Sequence, residues 1–111
     1  LMGYMINGEE FEYDDEKFLL EPNYNEEAPK VIAAEEGLNL TDEHWMVIEF
    51  LRRKYKEDGQ TPNFRNFIKE MDEDHPGLDW KKKLYDLFPM QPARQAVRVA
   101  ALPKPFGKGG Y

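Results

Sequence analysis

The stretch from Thr41 to Gly59 constrains the fold more than any other part of the chain. Thr41 is a good N-cap, because its side-chain oxygen can accept from an unpaired amide of the first helical turn. Asp42 and Glu43 follow at the positive end of the helix dipole. Trp45, Ile48, Leu51 and Tyr55 then recur on one face, with Val47 and Phe50 widening it. Arg52, Arg53, Lys54 and Lys56 populate the far end, and Gly59 stops the helix. Such a helix must bury its apolar stripe against other elements, so the remaining segments have to supply them.

They supply a hairpin and four more helices. Met5 to Tyr13 reads as a short hairpin, since Asn7-Gly8 is the preferred pair for a tight turn. A two-stranded hairpin is marginal in water and must pack on helices. A first helix is expected from Asn25 or Tyr24 through Glu36, with Ala28, Val31 and Ile32 inward and Gly37 as its stop. Thr61-Pro62 opens a third helix with proline at its first position, burying Phe64, Phe67, Ile68 and Met71 until His75-Pro76-Gly77 breaks it. A fourth runs from about Leu78 to Phe88, placing Trp80, Leu84, Leu87 and Phe88 inward. A fifth covers Pro92 to Ala101, where Ala93, Ala96, Val97 and Ala100 allow a neighbour to approach closely. The expected fold is mostly α (α+β): one domain over 1–111, a hairpin packed on an orthogonal five-helix bundle whose third and fourth helices resemble a helix-turn-helix.

Composition excludes several kinds of chemistry. The chain has no cysteine, which removes disulfides, thiolate metal sites and thiol catalysis. Its two histidines, His44 and His75, lie far apart in sequence, so no metal site and no cofactor are expected. No apolar run approaches the ~20 residues that cross a bilayer. Residues 1–4 have no basic region and no long apolar stretch, so no leader is expected and a cytoplasmic protein is the default. The net charge of −7 argues against nucleic acid as the main partner. That charge is uneven: residues 79–111 carry seven basic and two acidic side chains, or +5, leaving −12 on residues 1–78. The asymmetry can orient an approaching partner, or can simply be two solvated faces.

Beyond the fifth helix the chain changes character. Pro103 and Pro105 flank Lys104 and cannot continue a helix, so residues 102–111 are expected to form an extended, flexible C-terminal arm. In Ala100-Ala101-Leu102-Pro103-Lys104-Pro105-Phe106-Gly107-Lys108 the arm resembles that of the DsrC/TusE sulfur-relay family, where A-G-L-P-K-P-x-G precedes a reactive cysteine. The likeness covers most of the chain. Asn7-Gly8-Glu9 is similar to the family's opening G-K-E or G-E-E. Residues 36–45, EGLNLTDEHW, resemble its E-G-I-x-L-T-x-E-H-W. Residues 50–55, FLRRKY, match its F-L-R-x-Y-Y apart from Lys54, and residues 84–89, LYDLFP, match L-Y-x-L-F-P.

The resemblance implies the fold already read from the pattern. It also implies a job, accepting sulfur on the terminal cysteine and presenting it to a sulfurtransferase complex or to sulfite reductase. Here the terminal cysteine falls at Lys108 and the upstream cysteine of DsrC-type members at Val97, so both sulfur-carrier positions are lost. Two family glycines are also replaced, by Gln91 and Ala101. Gln does not readily take the positive φ that glycine allows, so a change in the loop before the last helix is expected.

The expected function is therefore a non-catalytic DsrC/TusE-like protein acting by protein–protein interaction. Leu102, Pro103, Lys104, Pro105 and Phe106 form its recognition element, with Arg94 and Arg98 beside them, and its partner is a sulfur-pathway protein. Proline lowers the entropy lost on docking, and Lys104 supplies a charge for orientation. The alternative is a nucleic-acid-binding regulator using the helix-turn-helix-like segment and Lys81, Lys82 and Lys83. An enzyme ranks third, for want of a nucleophile, a metal set or paired acids. Gly109-Gly110 could act as a thiocarboxylate end only after loss of Tyr111, and reads more simply as a tail. His44 is expected to bond locally or face solvent, and deletion of residues 103–111 is expected to leave stability nearly unchanged.

Overall fold

The structure, a computed structural model, describes residues 2–107 and 109–111. Strands β1 (Gly3–Ile6) and β2 (Glu9–Glu12) pair antiparallel, with Tyr4 opposite Phe11 and Met5 opposite Glu10. Asn7 and Gly8, at φ 51° and 82°, make the tight turn that their sequence called for. Gly3 must lack a side chain, since a Cβ there would stand 2.3 Å from the Phe11 carbonyl oxygen. Alternation buries Tyr4 and Ile6 and leaves Met5 outside.

Five helices follow among the described residues: α1 (Glu27–Glu35), α2 (Asp42–Asp58), α3 (Phe64–Asp74), α4 (Trp80–Leu87) and α5 (Pro92–Val99). α1 packs on β1 and α5, while α5 also contacts α2, α3 and α4. α5 holds that central place because Ala93, Ala96, Val97, Val99 and Ala100 are small enough for close approach, and all are buried. Trp80, Tyr4, Phe18, Phe67 and Phe88 fill the largest volumes of the core. No helix among the described residues is long and apolar enough to cross a membrane.

Several helix ends differ from the sequence reading, each for a local reason. α1 starts at Glu27 because the Asn23 and Asn25 side chains accept from the amides of Asn25 and Glu27, at 3.0 and 2.8 Å, holding a turn before the helix. α3 is capped by Asn63, whose side chain accepts from the Asn66 amide at 3.0 Å, so Pro62 lies outside the helix. Asp79 caps α4 in the same way, leaving Leu78 exposed. α2 begins at Thr41 as expected, but its capping partner is His44 where Glu or Gln is usual. The Thr41 amide donates to His44 Nδ1 at 3.0 Å, which leaves the proton on Nε2 to be donated to the Leu87 carbonyl at 2.8 Å. His44 is thus a buried tie between α2 and α4, not a solvent-facing residue.

Candidate functional site

The arm begins in a Schellman motif at the end of α5. Ala101 turns left-handed at φ 64°, its amide donates to Arg98 O at 3.1 Å, and the Leu102 amide donates to Val97 O at 3.3 Å. Leu102, the residue after the left-handed turn, is fully buried. Arg52 braces the same corner. Its Nε donates to Ala100 O at 2.9 Å, and its terminal nitrogens donate to Tyr24 O at 3.1 Å and Asn23 O at 2.9 Å. Burial lowers the pKa of this guanidinium, which stays charged.

Downstream, the arm follows the body of the protein. Pro103 is half-buried and Pro105 buried, whereas Lys104 and Phe106 are exposed, Phe106 at 65%. Lys104 pairs with Glu16, which Arg94 also reaches. The hydrogen bond from Lys104 holds the Glu16 carboxyl below the usual carboxylate range, and the same contact pushes the lysine up. Glu16 is placed by a built turn: Asp14 accepts from the amides of Glu16 and Phe18, at 2.9 and 3.0 Å. The Tyr4 hydroxyl donates to Lys17 O at 2.7 Å from below, and burial pushes its pKa up.

The two arginines expected beside the arm are engaged within the chain. Arg98 donates to Glu36 through Nε at 2.6 Å and through a terminal nitrogen at 3.1 Å, and Gln95 donates to the same carboxylate at 2.9 Å. Arg94 and Arg98 both stand over the Phe18 ring, with 5.5 and 5.2 Å to its centroid.

Of the residues singled out from sequence, the structure therefore brings Pro103, Lys104 and Phe106 to the surface. Leu102 and Pro105 belong to the packed body, Arg94 shares Glu16 with Lys104, and Arg98 is tied to Glu36. Val97 is fully buried in α5. Lys108 lies outside the described residues. The arm is extended but seated, which corrects the expectation that residues after Pro103 add little to the core. Sequence reading missed Glu16, Glu36 and Arg52, whose partners are distant in the chain.

Two of the three lysines that open α4 face acidic partners. Lys82 pairs with Asp86 at 2.7 Å and Lys83 with Glu43 at 2.8 Å. Among the described residues, no group of three or more His, Asp or Glu side chains is placed to hold a metal ion.

The outline matches known proteins over nearly its whole length. The family model described as DsrC like protein matches residues 5–107. The sulfurtransferase TusE homologue of Haemophilus influenzae is 44% identical over 103 residues, spanning 90% of this chain and 94% of its own. The oxidized gamma-subunit of the dissimilatory sulfite reductase (DsrC) from Archaeoglobus fulgidus superposes with a TM-score of 0.85 at 29% identity, covering 97% of this chain and 100% of that one. DsrC of Allochromatium vinosum gives a TM-score of 0.80 at 37% identity, covering 98% and 100%.

Proposed function

This chain belongs to the DsrC-like family, and we propose that within it the protein is a non-catalytic interaction module of sulfur relay or sulfur metabolism. Its arm engages a sulfur-pathway partner without delivering sulfur. The observation that carries this reading is the absence of any cysteine from a chain that retains the family's scaffold and its Leu102-Pro103-Lys104-Pro105 arm. Val97 and Lys108 stand where the family resemblance puts the sulfur carriers, and neither valine nor lysine forms a persulfide or a disulfide. A cytoplasmic place of action fits a chain that uses no disulfides.

The Archaeoglobus fulgidus relative is described as a subunit of dissimilatory sulfite reductase, which gives one partner class, and the family resemblance adds a sulfurtransferase complex as the other. Recognition in the seated state falls to Pro103, Lys104 and Phe106, because Leu102 and Pro105 are buried. An exposed phenylalanine beside a lysine, on a backbone stiffened by two prolines, is a low-entropy anchor for a groove with an apolar floor and an acidic rim.

The test has two arms. Incubation with a persulfide donor and a cysteine desulfurase should leave the intact mass of the protein unchanged. A stable gain of sulfur would overturn the non-carrier reading. Immobilised sulfurtransferase complex or sulfite reductase should retain the wild type, lose Phe106→Ala, and hold Lys104→Glu at least about fivefold more weakly. Full retention of both variants would show that the arm is not the recognition element.

A further inference from the structure

The first turn of α3 receives an acceptor from the far end of the chain. An α-helix leaves its first amides without internal partners, and Asn63 provides for Asn66 but not for Phe64. The Phe64 amide donates instead to Gly110 O at 2.6 Å. Gly109 and Gly110 reach that position at φ 54° and 78°, a conformation that glycine takes without strain.

Tyr111 then turns inward and packs against the core, half-buried. It helps to close a cleft of about 390 Å³ whose other walls include Phe64 and Arg65 of α3, Tyr85 of α4, and Pro92 and Ala93 of α5. The Tyr111 hydroxyl lies 3.4 Å from Thr61 O and 3.3 Å from Phe106 O. Its one proton is shared between a carbonyl of the body and a carbonyl of the arm. The Tyr111 ring lies beside Gly107, where an added Cβ would meet the hydroxyl at 3.4 Å, an ordinary contact distance.

We propose that residues 109–111 are an intramolecular clasp, in which Tyr111 walls the α3–α4–α5 cleft and pins the distal arm to the body. The arm is then held twice, by Lys104 on Glu16 near its start and by Gly110 and Tyr111 on α3 beyond Phe106. A partner that takes the arm in a more extended form must first release the clasp. Its apparent affinity is reduced by the fraction of molecules in which the clasp is open. This gating role rests on the reading of the arm as the recognition element, whereas the clasp itself does not.

The two can be tested separately on the full chain. Amide exchange should show a protected Phe64 in the wild type. Tyr111→Ala should speed exchange at Phe64 at least tenfold and raise the backbone mobility of Phe106, while the Asn66 amide, capped by Asn63, stays unchanged as an internal control. Tyr111→Phe, which keeps the ring and loses the hydroxyl, should fall between. Unchanged exchange at Phe64 in Tyr111→Ala would overturn the clasp. With the clasp opened, affinity for the immobilised sulfurtransferase complex or sulfite reductase should rise about five- to tenfold. An open clasp with unchanged or weaker binding would overturn the gating role. Absence of binding by wild type and variant alike would overturn both the gating role and the arm as recognition element, leaving the clasp supported by exchange alone.

Discussion

Arg52 offers the most demanding check on how the arm is positioned. Its guanidinium reaches four backbone carbonyls in two parts of the chain: Ala100 at the end of α5, and Asn23, Tyr24 and Asn25 before α1. The Asn23 amide adds a direct bond to Ala101 O at 2.9 Å, so the corner is closed on both sides. In Arg52→Ala the two half-buried bonds, to Ala100 and Asn23, carry most of the loss, because water replaces the donor at the exposed Tyr24 and Asn25 carbonyls. At about 1.5 kcal/mol for each charge-assisted bond, the variant should lose about 3 kcal/mol. For a domain of this size that is a fall of about 12 °C in Tm, at about 4 °C per kcal/mol.

Urea unfolding followed by circular dichroism measures the change, with the slope of the transition as a check on two-state behaviour. Arg52→Lys keeps the charge but loses the planar fork, and should recover no more than about 1 kcal/mol of the deficit. Arg52→Met keeps the apolar stem and should resemble alanine to within about 1 kcal/mol, since the bonds are what matter. A loss under about 1 kcal/mol in Arg52→Ala, or full stability in Arg52→Lys, would refute the assignment of this corner to the fork.

Two further outcomes follow from strain and from charge. Gln91 sits at φ 61° and is exposed, so Gln91→Gly removes about 1–2 kcal/mol of left-handed strain against about 0.4–1 kcal/mol of added chain entropy. The net gain of about 0.5–1 kcal/mol should appear in urea unfolding, and a loss would refute it. Glu16 has a pKa held down chiefly by Lys104, so the stability it contributes is present above the usual carboxylate range and is lost as pH falls through its lowered value. Carboxyl NMR should follow that titration, and Lys104→Met should move it up toward the usual range, whereas an unmoved titration would break the link to the arm.

What could be read from the sequence was whatever depends on near neighbours. Asn7-Gly8 made its turn, and Thr41 and Gly59 bounded α2, because each acts on residues within one turn of itself. The apolar stripes of α2 and α3 found their core for the same reason, with Ile48, Leu51, Phe67 and Met71 buried. The seat of the arm was not legible. Glu16 meets Lys104, Glu36 meets Arg98, and Tyr111 meets Thr61 across 50 or more residues, and no local pattern tells a charged side chain which distant partner it will face. Deletion of residues 103–111 therefore removes the buried Pro105, the Lys104 ion pair and the Tyr111 contact, and does not merely shed a loose tail.

Gln91 and Ala101 join the two halves of this picture. Each replaces a glycine of the resembled pattern, and each stands in the left-handed region that glycine takes without strain, at φ 61° and 64°. A loop free to relax would leave that region. These loops flank α5 on either side, and α5 is packed by four other helices, so its ends are fixed from outside and the strain is borne locally. The scaffold tolerates about 1–2 kcal/mol at each position because the burial of Pro92, Ala93, Ala96, Val97 and Leu102 depends on that placement. At Gln91 and Ala101 local propensity yields to packing. The same packing explains how a chain without cysteine keeps the outline of sulfur carriers, since the fully buried Val97 serves the core whether or not sulfur chemistry is ever performed.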